Sequence, residues 1–431
     1  MQKIIRPAFF FLLSITLAGS FIIHLPLFSP IQLFALSFLG ASASYAAMAW
    51  ALFRIELRER TLYIILALAI ALRLSFIAIL PIGSEDMYRY IWDGMVQSHG
   101  VNPYLFAPSD ERLTSLHSSL LPAVLAFPDL KTIYFPFSEW VFFVSYLFSG
   151  EAVWGFKFVI VVAEIATIAG LMALLKQLTI PIKFVLLYAV SPLPIVQFAV
   201  DGHLDAIGLP LLIVALIFFL RGQKLASALL LGLSLSVKPV GLILLPALFF
   251  HEKNLWARVR IVTIPLLTLG VQFIPYAFAS NPFEMLMTFT KNWSFNGIVF
   301  ESLNFFLANN QTTRLICGVL LGLSVTVLAL RRVDIVDTCY FSVLLLILLS
   351  PVVHPWYTAW VACMVPFARR WSGIALISAI SLTSFTVMNY RLTGVWEQYP
   401  IVLAAEYLPV ILLLVVELRS LLKWNPTSST A

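Results

Sequence analysis

Residues 62–94 have the sequence LYIILALAIALRLSFIAILPIGSEDMYRYIWDG, and this stretch is the most informative about the fold. Residues 62–82 are almost wholly apolar, and a helix that crosses a membrane needs about 20 such residues. Residues 83–94 instead carry two adjacent acids, Glu85 and Asp86, followed by aromatic residues and Arg89. The chain therefore changes from a membrane-spanning pattern to a polar, chemistry-bearing pattern at residue 83.

The same apolar pattern recurs along the whole chain of 431 residues, of which 61% are hydrophobic and 11% are charged. Soluble proteins are about 45–50% apolar and about 25% charged, so this composition excludes a soluble enzyme, a disordered chain and a disulfide-stapled secreted domain. The pattern predicts an all-α, polytopic transmembrane bundle of about 12–13 helices that forms one integral-membrane domain over residues 1–431. The apolar runs span 8–28, 32–53, 62–82, 156–175, 184–200, 206–220, 226–250, 259–279, 312–330, 338–353, 355–367, 372–388 and 400–422.

Short clusters of basic residues predict the orientation of the bundle, because cytoplasmic loops are enriched in Lys and Arg. With both termini in the cytoplasm, 18 of the 27 basic residues fall on the cytoplasmic side, in clusters at 3–6, 54–60, 176–183, 221–224, 253–260, 331–332, 369–370 and 419–423. This topology requires that residues 133–149 do not cross and that 226–250 form a hairpin broken at Pro239, which cannot continue a helix. Residues 83–152 then form an extracytoplasmic loop with interfacial amphipathic helices. The formal charge of +6 is explained by topology and gives no reason to expect a nucleic-acid partner.

The first candidate site is the block that begins at residue 83. Apolar surroundings would raise the pKa values of Glu85 and Asp86, as a general base requires, and Arg89 would oppose this. Tyr88 and the neighbouring aromatic residues suit a helix at the membrane interface. The alternative is a solvated loop whose acids cap a helix.

Two further candidates lie between or within apolar runs. Asp201, His203 and Asp205 share one tight turn, where they could ligate a metal or bind sugar hydroxyls; the alternative is a helix cap and a polar turn. Lys238 lies within an apolar run and requires an anionic partner, either a carboxylate or a ligand phosphate, unless it extends to the interface.

The last candidates are His354, Trp356 and Tyr357. His354 could bind phosphate or act as an acid–base group, although a lone histidine at a helix boundary is often a simple polar residue. Trp356 and Tyr357 also fit the aromatic belt at a membrane interface.

Arg73 and Glu164 lie inside apolar runs and are expected to pair with each other. The chain has no nucleotide-binding or zinc-protease motif.

These blocks, in this order, resemble the GT-C superfamily of integral-membrane glycosyltransferases. The resemblance is nearest to polyprenol-phosphate-mannose-dependent mannosyltransferases and the related family 87 enzymes. It covers roughly residues 60–367 and is carried by residues 84–94, 100–104, 191–193, 202–205, 238–239 and 354–357.

The resemblance implies that Asp86, or less favourably Glu85, acts as general base on an acceptor hydroxyl. Lys238, His354 and Arg89 would bind the donor phosphate. Sugar or acceptor would contact Asp201, His203, Asp205, Trp356, Tyr357 and Tyr88.

The resemblance also implies the partners. A hexose, most commonly mannose, would pass from a polyprenyl-phosphate donor to a glycolipid or glycan acceptor, with inversion, on the extracytoplasmic face of a bacterial inner membrane. A divalent metal stays open: a lipid-phosphate donor needs a metal less than a nucleotide sugar does, yet Glu85 and Asp86 could hold Mg²⁺ or Mn²⁺ weakly through their oxygens.

Two other functions use similar lipid-linked sugars. A flippase or transporter would place its ionisable groups near the bilayer midplane, often within internal repeats, whereas here they cluster at one face and no repeat is visible. An envelope polymerase or ligase that uses an oligosaccharide-diphosphate donor would share the phosphate site but need a larger cavity.

Overall fold

The computed structural model describes residues 2–23, 25, 30–277, 281–331 and 333–423. This part of the chain is all-α, and its only β-type pairing is the isolated bridge of Phe295 and Asn296 with Val352. The predicted fold class is confirmed. Arg332, residues within the predicted runs 8–28 and 259–279, and everything after residue 423 lie outside the described residues.

Within the described residues, six helices are long and apolar enough to cross a membrane, so the protein is a multi-pass membrane protein. They are Gln2–Ile22, Pro30–Leu52, Trp154–Gln177, Asn310–Leu330, Trp371–Thr393 and Pro400–Leu421. A seventh span is possible if Ile182–Ala189 and Pro192–Val200, which meet at a bend of 44°, count as one.

The other predicted runs form shorter helices, because polar turns and prolines interrupt them. Five of these are apolar: Asp205–Leu220, Lys224–Leu235, Pro239–His251, Ile298–Leu307 and Ile335–Leu349. The remaining principal helices are Glu59–Ser75, Asp86–Ser98, Pro136–Ser149, Leu255–Val271 and Glu284–Asn292.

The apolar run 226–250 does not form one continuous helix. Its first helix ends at Leu235, and the backbone at Lys238 is extended (φ −153°, ψ 136°) before a 3₁₀ turn begins at Pro239. Proline disfavours helical geometry in the residue that precedes it. Lys238 is therefore held at a chain break between two helical segments.

A buried ion pair joins the helices of the core, as the sequence predicts. Nε of Arg73 lies 2.8 Å from Oε2 of Glu164, and both side chains are fully buried. Arg73 also donates to the carbonyl oxygen of Ala189 at 2.7 Å, and the hydroxyl of Tyr188 donates to Glu164. The pair thus links Glu59–Ser75 to Trp154–Gln177, which satisfies two charges that an apolar bundle could not hold singly.

The helix that begins at Glu59 ends at Ser75, well before Asp86. The chain after it is irregular, and carbonyl groups buried in such a segment need donors. Lys157, fully buried in the neighbouring span, donates through Nζ to the carbonyl oxygens of Phe76 (3.2 Å) and Ile79. One buried lysine therefore fixes the segment that leads to the acidic block.

Candidate active site

Asp201 holds the loop that carries Glu85 and Asp86. Its Oδ1 accepts hydrogen bonds from the backbone N–H groups of Ile82 (3.0 Å) and Gly83 (2.8 Å). A Cβ at Gly83 would lie 2.6 Å from Oδ2 of Asp201, so the loop and this carboxylate approach too closely for a larger residue. The sugar-binding role expected of Asp201 stays a prediction; its visible contacts are with the backbone.

Asp86 is the first residue of the helix Asp86–Ser98, and it faces His203. Oδ2 of Asp86 lies 3.6 Å from Nδ1 of His203, and the Asp86 side chain keeps 37% of its surface exposed while His203 is fully buried. Neither ring nitrogen of His203 has a hydrogen-bond partner among the described residues. The arrangement combines an accessible carboxylate with a buried imidazole.

Trp356 lies between two histidine rings. Its ring stacks on His203 with centroids 3.6 Å apart and an angle of 14°, and on His354 with centroids 4.4 Å apart and an angle of 3°. The three residues come from two distant segments, yet they form one stack that ends beside Asp86. Stacking fixes the orientation of both imidazoles without using their nitrogens.

Electrostatics separate the roles of these groups. Burial raises the pKa of Asp86 to about 6; Lys238 opposes this effect, and the negative charges of Asp205 and Glu85 add to it. Water at the exposed part of the side chain moderates the increase. Burial lowers the pKa of His203 well below its usual range and that of His354 to about 3, and Lys238 lowers both further. Both imidazoles are therefore neutral at neutral pH, and Lys238 supplies the positive charge.

Lys238 has the anionic partner that its position requires. Its Nζ lies 2.9 Å from Oδ2 of Asp205 and 3.4 Å from the ring centroid of Tyr357. The other oxygen of Asp205 accepts a hydrogen bond from Nε1 of Trp360 at 2.7 Å. Asp205 is buried, whereas the Lys238 side chain is 20% exposed.

Glu85 turns away from Asp86 to an arginine that the sequence analysis did not single out. NH1 of Arg391 lies 2.6 Å from Oε1 of Glu85, and both side chains are about one-third exposed. Arg391 belongs to the helix Ser384–Thr393, at the end of a late span. No local pattern indicates this contact, since the two residues are 306 positions apart.

Two predicted site residues lie apart from this group. Nε of Arg89 donates to Asp93 at 2.9 Å and NH1 donates to the carbonyl oxygen of Leu130 at 2.7 Å, so Arg89 braces the loop. Tyr88 instead lines a cavity of about 310 Å³ together with Glu151 and Trp154. A role for Arg89 in phosphate binding and for Tyr88 in sugar binding stays a prediction.

A short strap positions His354 from the C-terminal half. The N–H of Phe295 donates to the carbonyl oxygen of Pro351 (2.9 Å), and Phe295 accepts from the N–H of Val353 (2.7 Å). The Phe295 ring lies 5.0 Å from the His354 ring. The sequence does not indicate that Phe295, Lys157 or Arg391 contributes to the site, because the effect of each depends on contacts between distant segments.

A divalent metal has no evident ligand set here. Glu85 and Asp86 point to different partners, and the described part of the chain contains no group of three or more His, Cys, Asp or Glu residues arranged to hold an ion. We derive no catalytic step through a metal.

The candidate site thus combines an accessible carboxylate, neutral imidazoles and a lysine paired with a buried acid, all in a helical membrane bundle. A family model described as "Alpha-(1->6)-mannopyranosyltransferase, N-terminal domain" matches residues 17–252, more than half of the chain. The chain belongs to this MptA/B family of α-mannosyltransferases, and it is a glycosyltransferase. The resemblance to GT-C mannosyltransferases is confirmed. No curated protein and no solved structure matches the chain.

The matched region contains Asp86, His203, Asp205 and Lys238, whereas His354 and Arg391 lie beyond it. The site is therefore completed by the C-terminal part of the chain.

Proposed function

We propose that the protein transfers mannose from a polyprenyl-phosphate donor to a hydroxyl of a glycolipid or glycan acceptor, with inversion, and that Asp86 is the general base. The observation that carries this proposal is the position of Asp86, accessible and beside a neutral His203, within electrostatic reach of Lys238. Family membership supports mannose as the sugar.

Asp86 suits the base better than Glu85. A catalytic base works best when its pKa lies near the operating pH, and the pKa of Asp86 is raised to about 6. Glu85 is instead paired with Arg391 at 2.6 Å, so its carboxylate is already in contact with a cation.

Lys238 is the primary cation for the donor phosphate in this proposal. A phosphate ester gains a second negative charge as the glycosidic bond breaks, and a fixed cation stabilises that change. Lys238 is held by Asp205 and by the Tyr357 ring, so its ammonium group is already oriented. The neutral His354 would donate a hydrogen bond without adding charge.

The acceptor oxygen forms a bond to the anomeric carbon while the bond between that carbon and the phosphate oxygen breaks. The hydroxyl proton passes to Asp86, and the polyprenyl phosphodiester leaves as a phosphomonoester dianion. No oxidant, reductant or nucleotide is consumed.

The orientation of basic clusters supports an extracytoplasmic site in a bacterial inner membrane, with both termini in the cytoplasm. A polyprenyl donor suits this side, because a lipid-linked sugar needs no cytoplasmic nucleotide. Residues 83–152 would then form the extracytoplasmic loop that presents Asp86 to the acceptor.

The test uses membranes and radiolabelled polyprenyl-phosphate mannose. Transfer to endogenous glycolipid or glycan is compared in the wild type, a deletion strain, Asp86→Asn and the matched loop control Asp129→Asn. Asp129 lies in the same loop and accepts a hydrogen bond only from Ser109 among the described residues, so its variant controls for charge loss.

Loss of transfer in the deletion strain and in Asp86→Asn, with transfer retained in Asp129→Asn, supports the proposal. Full transfer by Asp86→Asn would exclude Asp86 as the base. Unchanged labelling in the deletion strain would exclude this donor.

A further inference from the structure

The cation beside Glu85 is not explained by the mechanism above. Arg391 lies near the end of the helix Ser384–Thr393. Its guanidinium group contacts Glu85, the residue that precedes the proposed base. Its charge also acts on the buried carboxylate of Asp201, which lies behind the same loop. Arg391 therefore lies directly beside the candidate site.

The contact with Glu85 is easily exchanged. Both side chains are about one-third exposed, and NH1 is the nitrogen that bonds Glu85. An exposed ion pair is a weak interaction, whereas the fork of an arginine binds a phosphate more strongly, through two parallel hydrogen bonds. A phosphate that arrives near Glu85 would therefore be the better partner for this guanidinium.

The site also needs a second cation. Lys238 is shared with Asp205, and Arg89 is committed to Asp93 and to a backbone carbonyl. The leaving phosphate becomes a dianion, and one lysine already paired with a carboxylate neutralises it incompletely. Arg391 is the remaining cation that the described structure places directly on the acidic block.

The chain around Arg391 is attached to the site at a second point. Gly394, with φ +73°, ends the helix just after it. The ring of Trp396 then lies 5.0 Å from Phe295, which in turn packs on His354. Movement of Arg391 would thus occur within a segment that already contacts the residues around the donor phosphate.

From these contacts we infer that Arg391 is a ligand of the donor phosphate. Arg391 pairs with Glu85 before the donor binds, and it exchanges this carboxylate for the phosphate when the donor binds. The inference rests on the proposed polyprenyl-phosphate donor. It assigns to the C-terminal part of the chain, outside the matched family region, a direct part in donor binding.

The experiment measures binding of polyprenyl phosphate to the purified full chain in detergent, by titration calorimetry. The variants are Arg391→Gln, Arg391→Lys, Glu85→Gln and the control Lys131→Gln. Lys131 pairs with Glu284 in a similarly exposed bridge, so its variant removes the same charge elsewhere. Thermal unfolding of each variant in detergent verifies that it is folded.

We expect Arg391→Gln to bind polyprenyl phosphate about 10- to 100-fold more weakly, the loss of a charge-assisted hydrogen bond. Arg391→Lys should be intermediate, because it keeps the charge and loses the fork. Glu85→Gln should bind as tightly as the wild type or more tightly, because it frees Arg391. Lys131→Gln should bind like the wild type.

A purely structural link between Glu85 and Arg391 makes the opposite prediction. Equal weakening in Arg391→Gln and Glu85→Gln would overturn the inference, since both break the same contact. Wild-type binding by Arg391→Gln, or equal weakening by Lys131→Gln, would also overturn it.

Turnover of the wild type separates this result from the proposed function. A wild type that binds polyprenyl phosphate through Arg391 but transfers no mannose from polyprenyl-phosphate mannose disproves the function and keeps the inference. A wild type that transfers mannose while all variants bind equally disproves the inference alone. A wild type that does not bind polyprenyl phosphate overturns the inference.

Discussion

Nδ1 of His203 lies 3.6 Å from Oδ2 of Asp86, and the imidazole ring of His203 stacks on the ring of Trp356. The distance slightly exceeds that of a hydrogen bond, and contacts of this kind commonly shorten when substrate binds. Because the pKa of His203 is lowered well below its usual range, the ring can donate to the carboxylate without carrying a charge. Because burial raises the pKa of Asp86 to about 6, protonation of this carboxylate gives the site a pH dependence near neutrality.

The first prediction concerns that pH dependence. Asp86 must be ionised to accept a proton, so kcat/KM should fall below pH 6, by about tenfold per pH unit, in line with its pKa of about 6. Glu85→Gln removes a negative neighbour that raises this pKa, so the acid limb should move to lower pH. The measurement is the pH profile of mannose transfer at limiting donor. An acid limb that stays in place in Glu85→Gln would argue against Asp86 as the titrating group.

The second prediction isolates the imidazole of His203. His203→Phe keeps an aromatic ring against Trp356 but removes both ring nitrogens, so the protein should fold while kcat falls about 10- to 100-fold, the effect of losing one hydrogen bond to a charged group. His99→Phe, at the exposed end of the helix Asp86–Ser98, is the matched control. Wild-type kcat in His203→Phe would leave His203 as a packing residue.

How far the sequence could predict this site depends on the kind of contact. Arg73 and Glu164 were paired correctly, because single charges in apolar helices have few alternatives to pairing. Lys238 was expected to need an anion, and the structure provides Asp205. The choice between carboxylate and phosphate could not be made from the sequence, because both satisfy the same charge.

Contacts that depend on tertiary placement could not be predicted. Arg391 reaches Glu85 across 306 positions, and no local pattern links the two. Asp201 accepts hydrogen bonds from the loop 118–119 positions before it, a contact that the sequence does not indicate. Tyr88 is different: residues two positions apart point to different faces of a helix. A helix over these residues therefore turns the side chains of Tyr88 and Asp86 in different directions, although the sequence analysis places both at one site.

The third prediction tests the buried pair of the core. Arg73→Leu leaves Glu164 buried without its partner, which costs about 3–5 kcal/mol in comparable pairs, so the unfolding temperature in detergent should fall strongly. Replacing both residues with Leu should recover much of that loss, since apolar residues can replace a buried pair. Arg112→Leu, which breaks an exposed pair with Asp110, should leave the temperature nearly unchanged. A double variant as unstable as the single one would mean that the pair is not the source of the loss.

The last prediction concerns Gly83, where the loop approaches two side chains. A Cβ at this position would lie 2.5 Å from Cζ of Phe34 and 2.6 Å from Oδ2 of Asp201. Asp201 holds the backbone N–H of the same residue, so relief of this overlap must displace the loop that carries Asp86. Gly83→Ala should therefore lose transfer activity and about 1–3 kcal/mol of stability, the cost of overpacking.

Gly40→Ala is the matched control, because it places the same methyl group in the span Pro30–Leu52 with no neighbouring atom within 4 Å. It should keep full transfer activity and gain about 0.5–1 kcal/mol, since alanine favours a helix interior over glycine. Transfer rates in membranes and unfolding temperatures in detergent measure both effects. Equal activity of Gly83→Ala and Gly40→Ala would show that the loop can shift without moving Asp86 from its catalytic position, and the proposed dependence of the base on Asp201 would be wrong.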